Sequence, residues 1–423
     1  MKKYSEYKES GIEWLGKIPK HWTITPFKHI ISFINGYAFK SDTYTEDGIP
    51  IIRIGDVQKS INFIETKKVP KEYWDELPEM RIYYGDILIA LTGATIGKSS
   101  TYQYHNPALL NQRVALIRPK SNCVPSFVKY LIQMNIFREY ILVECNGGAQ
   151  GNIGKEEIGN FSFQLPPTQE QLHISTYLDK KTNQIDALIG KKREMIELLK
   201  EERAAIINQA VTKGINPDAE MKDSGIEWLG EVPKHWEVKK LKYSLKLITD
   251  KNVNGSLLKI GLENIESKTG KYIETDSEFL GEGIKFSKND LLFGKLRPYL
   301  AKVLLSEFEG NAIGDIFVYR AKEQVIPKFA FYRLLSDAFI EVINGSTFGA
   351  KMPRASSEFI GELPFPYPSI NEQNAIVKYI DERITSIEKT IKITEKEIAL
   401  IEEYRTALIN EAVTGKIKVT ESV

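Results

Sequence analysis

The chain has 423 residues, of which 42% are hydrophobic and 27% charged, as in ordinary globular proteins. This length exceeds what one hydrophobic core usually serves, so we expect two or more domains. The two cysteines, Cys123 and Cys145, form no CxxC pair, which argues against a disulfide framework or a cysteine zinc site. The sequence has no apolar run typical of a signal peptide or membrane span, so we expect a soluble cytoplasmic protein with no membrane partner.

The net charge leaves nucleic-acid binding open. Lys and Arg number 57 against 56 Asp and Glu, which gives a net charge of +1. A protein that binds DNA by itself usually carries a basic excess. Either this chain does not bind nucleic acid, or its charge is segregated, with basic loops offset by acidic helices.

The first element in the chain is a short motif that occurs twice. SGIEWLG at residues 10–16 and PKHW at 19–22 return at 224–230 and 233–236, which is 214 residues later. Four of the five tryptophans lie in the two copies. The motif marks two related halves. Packing is the favoured role for its histidines, His21 and His235.

A divergent region follows the first copy of the motif. Buried strands are expected at 49–54 and 86–91, and a helical segment at 125–142. The turns are rich in Gly, Thr, Lys, Arg and amides. Arg and Lys suit guanine edges and phosphates, whereas Gln and Asn suit adenine edges. Each residue taken singly is more simply a surface or turn residue. As a set they are the best candidates for DNA contact: Lys40, Arg53, Thr92, Lys98, Gln112, Arg113, Gln150 and Asn152.

The turn at residues 93–99, GATIGKS, resembles a phosphate-binding loop. That motif needs four residues between its glycines, and this turn has three. We therefore reject nucleotide binding there.

The next block, from Glu170 to Thr212, has apolar residues at alternating spacings of four and three. They are Leu178, Ile185, Ile189, Ile196, Leu199 and Ile206, with Thr182, Lys192 and Arg203 in the remaining places. This 3.5-residue period predicts a coiled-coil helix. From 178 to 212 such a helix would span about 50 Å, at about 1.5 Å per residue.

The second half begins after a linker that contains Gly214 and Pro217. Strands are expected at 257–260 and 290–293 and a helical segment at 327–343. No clear counterpart of Asn111-Gln-Arg113 is visible here. The DNA-contact candidates are Lys251, Lys295, Arg297, Tyr299, Lys302, Lys351 and Arg354.

A second helical block, from Glu372 to Thr414, repeats the first without a gap, 202 residues later. Its seam residues are Ile380, Ile384, Ile387, Ile391, Ile398, Ile401 and Leu408, interrupted by Thr394 and Arg405. We expect Arg203 and Arg405 to snorkel out of the seam or to find carboxylates such as Glu201 or Glu403. For both arginines, Lys192 and Thr394 we favour register control over ligand binding. Because the second domain follows the end of the first helix, the helices should pair antiparallel around a pseudo-twofold axis.

Between the helical blocks the halves diverge almost completely. Two unlike inserts on one frame are expected when the inserts recognise different targets, although surface loops of any duplicated protein also drift. We find no dinucleotide-binding fingerprint, no Asp/Asn-Pro-Pro-aromatic methyltransferase motif, and no catalytic triad or metal-ligand spacing. We therefore expect no catalytic residue and no metal site.

The chain resembles the specificity (S) subunits of type I restriction–modification systems. The resemblance covers essentially all of the chain and rests on SGIEWLG..P.HW, GDILIA.TG..IGK, FGKLRPYL.K, and PP..EQ or P..NEQ before each helix. It implies target-recognition domain 1 at 1–165, conserved helical region 1 at 166–213, a linker with target-recognition domain 2 at 214–366, and conserved helical region 2 at 367–423. The fold class is α+β: mixed α/β domains plus a long antiparallel two-helix coiled coil, with a pseudo-twofold internal duplication.

The resemblance also implies a function without catalysis. Each target-recognition domain would read one half of an asymmetric, bipartite site in double-stranded DNA. The paired helices would set the spacer and dock two methyltransferase (M) subunits, which use S-adenosylmethionine to methylate adenine after flipping it out of the duplex. Restriction (R) subunits, where present, would use ATP and Mg²⁺ to cleave unmodified DNA. This chain would bind none of these cofactors.

Two alternatives remain open on the residues alone. The first is a coiled-coil protein-interaction scaffold that never touches DNA, which the near-neutral charge favours. The second is an enzyme in its own right, such as a single-chain nuclease or methyltransferase.

Overall fold

The computed structural model describes residues 2–57, 63, 65–145, 152–252, 257–277, 279, 281–347 and 352–419. The chain divides into two compact units. Unit 1 comprises residues 1–191 and 397–423, and unit 2 comprises residues 192–396. Each unit contains one mixed α/β domain and part of each of two long helices, so the second helix returns to the unit that the first helix leaves.

The domain of unit 1 is built from twelve short strands and five short helices within the described residues. The strands are β1 (Tyr7–Glu9), β2 (Lys17–Pro19), β3 (Thr23–Pro26), β4 (Ile31–Asn35), β5 (Ile49–Ile52), β6 (Lys68–Val69), β7 (Arg81–Ile82), β8 (Ile87–Ala90), β9 (Ser99–Thr101), β10 (Ala108–Leu110), β11 (Val114–Pro119) and β12 (Ser162–Leu165). The helices are α1 (Phe27–Ile30), α2 (Glu72–Glu76), α3 (Pro125–Ile132), α4 (Asn135–Glu144) and α5 (Lys155–Asn160), and the long helix α6 (Thr168–Lys213) begins next.

Two four-stranded sheets form the centre of this domain, with strand orders β6-β5-β10-β7 and β4-β11-β8-β9. All four residues of β8 are buried, which explains its continuous apolar sequence. A cluster that includes Leu88, Tyr102 and Leu116 packs between the strands. Smaller antiparallel pairs join β1 to β2 and β3 to β12.

The domain of unit 2 repeats this architecture. Its strands are β13 (Met221–Asp223), β14 (Glu231–Pro233), β15 (Glu237–Lys240), β16 (Leu245–Ile248), β17 (Lys251–Asn252), β18 (Lys259–Ile260), β19 (Gly283–Phe286), β20 (Leu291–Gly294), β21 (Val303–Leu305), β22 (Gly310–Ala312), β23 (Ile316–Ala321) and β24 (Pro364–Tyr367). Its short helices are α7 (Leu241–Ser244), α8 (Pro327–Leu335), α9 (Asp337–Gly345) and α10 (Ser357–Glu362), followed by the long helix α11 (Ile370–Val413).

Matching strands pair in the same way in both units. Parallel pairing of β5 with β10 corresponds to that of β18 with β22. The order β4-β11-β8-β9 corresponds to β16-β23-β20-β21. The units differ at both edges of this sheet: β6 pairs with β5 in unit 1, whereas in unit 2 β17 pairs with β19 at the opposite edge. The predicted internal duplication is therefore present in the fold as well as in the sequence.

The two predicted helical segments each prove to be two helices. The break falls after α3 in unit 1 and after α8 in unit 2, where Met134 and Ser336 adopt extended backbone conformations. The turn lets aromatic residues on both sides of the break reach the core, and Phe329 and Phe339 are both fully buried. The strands predicted at 49–54 and 257–260 are shorter in the structure, where only β5 and β18 form in these ranges.

The long helices exceed their predicted length. Helix α6 has 46 residues and α11 has 44, or about 69 Å and 66 Å at about 1.5 Å per residue. Each begins directly after a proline-containing segment, ten residues before the first predicted seam residue. The Ser369 hydroxyl accepts a hydrogen bond from the Glu372 amide (3.3 Å) at the start of α11.

The antiparallel pairing of the helices is visible within each unit. In unit 1, Arg405 on α11 lies 3.1 Å from Asp186 on α6. In unit 2, Arg203 on α6 lies 3.9 Å from Glu388 on α11. Both arginines therefore reach carboxylates, as expected, but the partners are Asp186 and Glu388 on the facing helix and not Glu201 or Glu403, which are exposed on the arginines' own helices.

The seam residues are buried or half-buried, as the spacing predicts. The buried ones are Leu178, Ile185, Ile189, Ile196, Ile380, Ile387, Ile398 and Leu408, and the half-buried ones are Leu199, Ile206, Ile384, Ile391 and Ile401. Thr182 and Thr394 are also buried. The fold class of mixed α/β domains with a two-helix antiparallel coiled coil is therefore confirmed.

One charged side chain lies in the core of unit 2. Arg333 is fully buried, and its guanidinium lies 5.2 Å from the ring of Trp228 and 5.6 Å from that of Phe339. Its Nη1 donates to the Ser336 hydroxyl (3.3 Å), whereas Nε and Nη2 have no hydrogen-bond partner within the described residues. Burial lowers the pKa of Arg333 to about 9. Cation–π contact with two rings thus stabilises a charge without a carboxylate partner.

Candidate nucleic-acid interface

A glutamate at the start of each long helix explains why the two repeated motifs occur together. In unit 1, Glu170 accepts hydrogen bonds from the indole nitrogen of Trp22 (3.1 Å) and the hydroxyl of Tyr4, and it contacts His21 (2.8 Å). In unit 2, Glu372 binds Trp236 (2.9 Å) and His235 (2.9 Å). Both histidines therefore contact a carboxylate, and the His21 ring also packs 5.7 Å from the ring of Tyr4, so the expected packing role is only part of what they do.

The same tryptophans contact the end of a long helix in each unit. Gly214, just after α6, has φ +75°, and a Cβ there would lie 3.3 Å from Trp236. Gly415, just after α11, has φ +72°, and a Cβ there would lie 2.5 Å from Pro19. Glycine is the residue that adopts this left-handed conformation at a helix end without a steric penalty. Each unit thus joins one helix start, one helix end and the repeated motif in a single contact.

Further polar contacts attach each α/β domain to the start of its long helix. Asp179 of α6 binds Lys129 (2.9 Å) and the hydroxyl of Tyr130 (2.7 Å), both on α3. Asp381 of α11 binds Lys328 (2.8 Å) and Tyr332 on α8 in the same way. The side chains of Gln171 and Gln373 accept hydrogen bonds from the amides that precede α3 and α8. These contacts explain the identities that the two helical blocks share.

We expect Glu372→Ala to destabilise the protein by about 2 kcal/mol, because the buried indole nitrogen of Trp236 would lose its acceptor. Urea unfolding monitored by circular dichroism would measure the loss. Glu382→Ala is the matched control, since Glu382 is exposed on the same helix with only a 4.0 Å contact to Lys378. Equal losses for the two variants would show that the Glu372 contact contributes nothing.

In unit 1, backbone hydrogen bonds bring several sequence-predicted residues together beyond the ends of β8 and β10. The Leu91 amide donates to the Arg113 carbonyl (3.0 Å), and the Ile153 amide donates to the Leu91 carbonyl (3.1 Å). Thr92 and Asn152 form an isolated β-bridge. We call this set the unit 1 loop cluster: Tyr37, Lys40, Arg53, Thr92, Lys98, Gln112, Arg113 and Asn152.

Most members of the unit 1 loop cluster present their side chains to solvent. Lys40, Lys98, Gln112, Arg113 and Asn152 are exposed, and Tyr37 is 40% exposed. Two other members, Thr92 and Arg53, are half-buried, and the Arg53 guanidinium lies 3.6 Å from Asp56. Gln150 lies outside the described residues. The cluster therefore offers three exposed cations and two exposed amides on one edge of the domain.

The unit 2 loop cluster forms at the matching edge of its domain. The Lys295 amide donates to the Asp315 carbonyl (2.9 Å), and the Arg297 amide donates to the Pro353 carbonyl (2.8 Å). Leu296 and Arg354 form an isolated β-bridge. We define this cluster as Lys251, Lys295, Leu296, Arg297, Tyr299, Lys302, Asp315 and Arg354.

The side chains of the unit 2 loop cluster differ in their availability. Arg297 is exposed, as are Tyr299 and Arg354. The ammonium of Lys302 donates to the Leu262 carbonyl (2.6 Å) and thus supports a neighbouring turn. Lys251 lies 3.3 Å from Glu282. Lys351 lies outside the described residues.

Asp315 is a member of the unit 2 loop cluster that the sequence pattern did not predict. The amide of Ile313 donates to the Ile260 carbonyl (2.8 Å), as the Asn111 amide does to the Ile52 carbonyl (3.1 Å). Residues 313–315 are therefore the counterpart of 111–113, which we did not expect to find, and Asp315 corresponds to Arg113. The offset of 202 residues, which also relates the helical blocks, was the signal available in the sequence.

The two loop clusters share one backbone frame and differ in their side chains. Bridges and ladder bonds make Thr92 equivalent to Leu296 and Asn152 equivalent to Arg354. The pairing of β4 with β11 and of β16 with β23 makes Tyr37 equivalent to Lys251. A neutral polar side chain of unit 1 is thus replaced at the equivalent position of unit 2 by a charged or apolar side chain. The two edges therefore offer different contacts on the same scaffold.

A family model described as the type I restriction modification DNA specificity domain matches residues 19–198 and again 233–403. The chain belongs to this family. The two matches correspond to the two halves of the duplication, and each includes an α/β domain and much of the following helix.

The curated relatives agree with this assignment over nearly the whole chain. The MjaX specificity subunit of Methanocaldococcus jannaschii is 27% identical and aligns over 98% of both chains. The type I restriction enzyme MjaVIII specificity subunit from the same organism is 23% identical over 98% of this chain and 97% of the relative. The EcoKI specificity subunit of Escherichia coli is 22% identical over 95% and 90%. The alignments with these specificity subunits include both α/β domains of this chain.

Solved structures show the same fold. One chain, from a structure described as addressing complex assembly and conformational transition of the type I R-M system, has a TM-score of 0.70. It is 12% identical, with 95% of this chain and 99% of that chain covered. The HsdS subunit from Thermoanaerobacter tengcongensis has a TM-score of 0.53 at 13% identity, with 95% and 98% covered.

No described helix is long and apolar enough to cross a membrane. No group of three or more His, Cys, Asp or Glu side chains in the described part of the chain is placed to hold a metal ion.

Proposed function

We propose that this chain is the non-catalytic subunit that gives a cytoplasmic type I restriction–modification complex its DNA sequence specificity. Each α/β domain reads one half of an asymmetric, bipartite site in double-stranded DNA. The observation that supports this most directly is the pair of loop clusters, which hold different side chains on one backbone frame. A duplicated scaffold with two unlike edges suits two unlike half-sites.

The distribution of charge supports DNA contact at these edges. The unit 1 loop cluster contains four cationic side chains and the unit 2 loop cluster contains five: Lys40, Arg53, Lys98 and Arg113 in unit 1, and Lys251, Lys295, Arg297, Lys302 and Arg354 in unit 2. Fewer carboxylates are paired with them within the described residues, namely Asp56 in unit 1 and Glu282 and Asp315 in unit 2. The near-neutral net charge therefore coexists with local basic excess, which is what phosphate contact requires.

The paired helices, in this proposal, set the spacer between the half-sites and dock two M subunits. Leu198 on α6 and Leu400 on α11 are equivalent under the duplication, and they are 58% and 55% exposed. Exposed leucines at matching positions suit two copies of one partner. The M subunits would use S-adenosylmethionine to methylate adenine, and R subunits, where present, would use ATP and Mg²⁺ to cleave unmodified DNA. This chain would bind none of these cofactors.

Methylome sequencing of cells that express this chain with its M partner tests the proposal. We expect adenine methylation at a two-part motif. Replacing residues 1–165 with the equivalent domain of a relative should change one half of that motif and leave the other half intact. A change in both halves, or in neither, would contradict the assignment of one half-site to each domain.

Single substitutions in unit 2 should affect only the second half-site. We expect each of Lys295→Ala, Arg297→Ala and Arg354→Ala to weaken binding to that half-site, or to reduce discrimination between bases in it, by about 1–3 kcal/mol where the side chain contacts a base. Binding of the purified M–S complex to duplexes with altered half-sites would measure the change. Unchanged methylation by all three variants would exclude these residues as contacts.

The alternative functions have distinct signatures. A protein scaffold that does not bind DNA, which the net charge of +1 favours, would give an M–S complex with no salt-sensitive binding to any duplex. An independent enzyme would show cofactor binding or DNA modification with the isolated chain, where we expect none.

A further inference from the structure

We infer that Arg354 and Arg297 contact guanine in the half-site that unit 2 reads, and that Asp315 positions Arg354 for this contact. The inference rests on the function proposed above and specifies the base chemistry of one edge. Asp315 is a positioning residue here, since its carboxylate acts through the arginine.

The ion pair between Arg354 and Asp315 leaves most of the guanidinium free. Nη2 of Arg354 lies 3.2 Å from Oδ2 of Asp315, and the Arg354 side chain is 61% exposed. The carboxylate engages one nitrogen of the planar group, and the exposure of the side chain leaves other N–H donors of the fork available to a ligand. A fork of this kind matches the O6 and N7 acceptors that guanine presents in the major groove.

Asp315 itself is held from two sides. Its Oδ1 lies 3.7 Å from the ammonium of Lys295, which also lies 5.5 Å from the ring of Phe317. Asp315 is only 22% exposed, whereas Arg354 is largely in solvent. A carboxylate fixed in this way restricts the rotamers of the arginine before DNA arrives, which reduces the entropy lost on binding.

The backbone of Arg297 is an independent indication that its side chain serves a function. Arg297 has φ +51° and Ala301 has φ +46°, whereas glycines hold the equivalent positions in unit 1, with φ +68° at Gly93 and φ +73° at Gly97. The left-handed conformation is unfavourable for residues with a Cβ. An arginine kept in that conformation, where the other half uses glycine, indicates a requirement for the side chain itself.

Arg297 and Arg354 are presented together. The Arg297 amide donates to the carbonyl of Pro353, the residue directly before Arg354 (2.8 Å). Unit 1 lacks this arrangement, because Arg113 replaces Asp315 and Asn152 replaces Arg354 in the shared frame. The inference of guanine contact therefore applies to unit 2 alone.

The test uses the complete M–S complex and compares methylation motifs and duplex binding. Exchange of residues 1–165 first identifies the half-site that belongs to unit 2. We expect that half-site to contain a G·C pair. Arg354→Ala and Arg354→Lys should each reduce discrimination at one such pair by about tenfold or more, because lysine keeps the charge and loses the fork.

Asp315→Asn separates positioning from simple structural support. The substitution removes a negative charge near the phosphates, so binding to unrelated duplex should rise while discrimination at the same G·C pair falls. A merely structural role would instead lower both together, and that result would overturn the assignment of Asp315.

Arg297→Gly removes the side chain and also relieves the left-handed backbone, because glycine (Gly93) holds the equivalent position in unit 1. We expect reduced preference at a G·C pair with a melting temperature no lower than that of the wild type. Lys246→Ala is the control for loss of one surface charge, since Lys246 pairs with Arg320 at the far end of β23. It should leave the motif unchanged.

Three results would overturn the inference. These are a unit 2 half-site without a G·C pair, an unchanged motif with Arg354→Ala, and equal effects of Arg354→Ala and Lys246→Ala. A domain exchange that alters one half-site, followed by an unchanged motif with Arg354→Ala, would reject this inference alone. An exchange that alters both halves or neither would reject the proposed function as well.

Discussion

Replacing Trp236 with alanine should destabilise the protein by about 3–5 kcal/mol, the usual cost of truncating a buried tryptophan. Trp236 is fully buried, donates to Glu372 (2.9 Å), and packs against the left-handed glycine that ends α6. The substitution thus removes apolar packing and leaves the half-buried Glu372 carboxylate without the indole donor. Urea unfolding monitored by circular dichroism would measure the loss, and hydrogen exchange should place it in residues 192–396.

Two comparisons make this expectation specific. Trp22→Ala is the matched variant, because Trp22 is also fully buried and has the same contacts with Glu170 and Gly415 in unit 1. Trp74→Ala is the control, since Trp74 is only half-buried and stacks against Arg81. A loss with Trp236→Ala no larger than with Trp74→Ala would refute the structural role that we assign to the repeated motif.

Ile391→Asp should impair assembly with the M partner far more than it impairs either α/β domain. Ile391 is a half-buried seam residue on α11, and an unpaired carboxylate in the seam would cost about 3 kcal/mol of helix pairing. Such a loss corresponds to more than a hundredfold change in an equilibrium that requires the paired helices. Size-exclusion chromatography of the co-expressed subunits would measure assembly, and circular dichroism would monitor folding.

Ile393→Asp is the matched control on the same helix. Its side chain is 49% exposed, so the same charge there should leave the helix pairing intact. Ile393 lies seven residues before Leu400 and so on the same exposed face, so loss of assembly with the helices still paired would locate M docking on that face. Loss of helix pairing with Ile393→Asp as large as with Ile391→Asp would contradict the role of Ile391 in the seam.

The helical frame was largely predictable because its signal is local. Every predicted seam residue is buried or half-buried, since a 3.5-residue period places them on one stripe regardless of what the stripe packs against. The predicted helical regions at 166–213 and 367–423 include the observed helix starts at Thr168 and Ile370, but the seam begins only ten residues later. In that first stretch Ile376 packs in the core of unit 2. That packing partner is distant in the sequence, and the heptad spacing carries no sign of it.

The loop clusters were only partly predictable. Composition identified Arg113, Asn152, Arg297 and Arg354 as candidates, because Gly-rich turns with amides and cations are visible in the sequence. It missed Asp315, since a lone aspartate after a short strand has no distinctive neighbours. Its equivalence to Arg113 depends on backbone hydrogen bonds between strands that are separated by many residues.

The duplication, the helical seam and the resemblance to a family can be recognised in the order of the residues, because repeats and periodicity are properties of that order. The pairing of charges is visible only in the folded chain: Arg203 with Glu388, Arg405 with Asp186, and Arg354 with Asp315. It also showed that Glu170 and Glu372 join the two repeated motifs. The physical reason is that ion pairs and buried hydrogen bonds depend on distances of a few ångströms between side chains, which only the folded chain brings together.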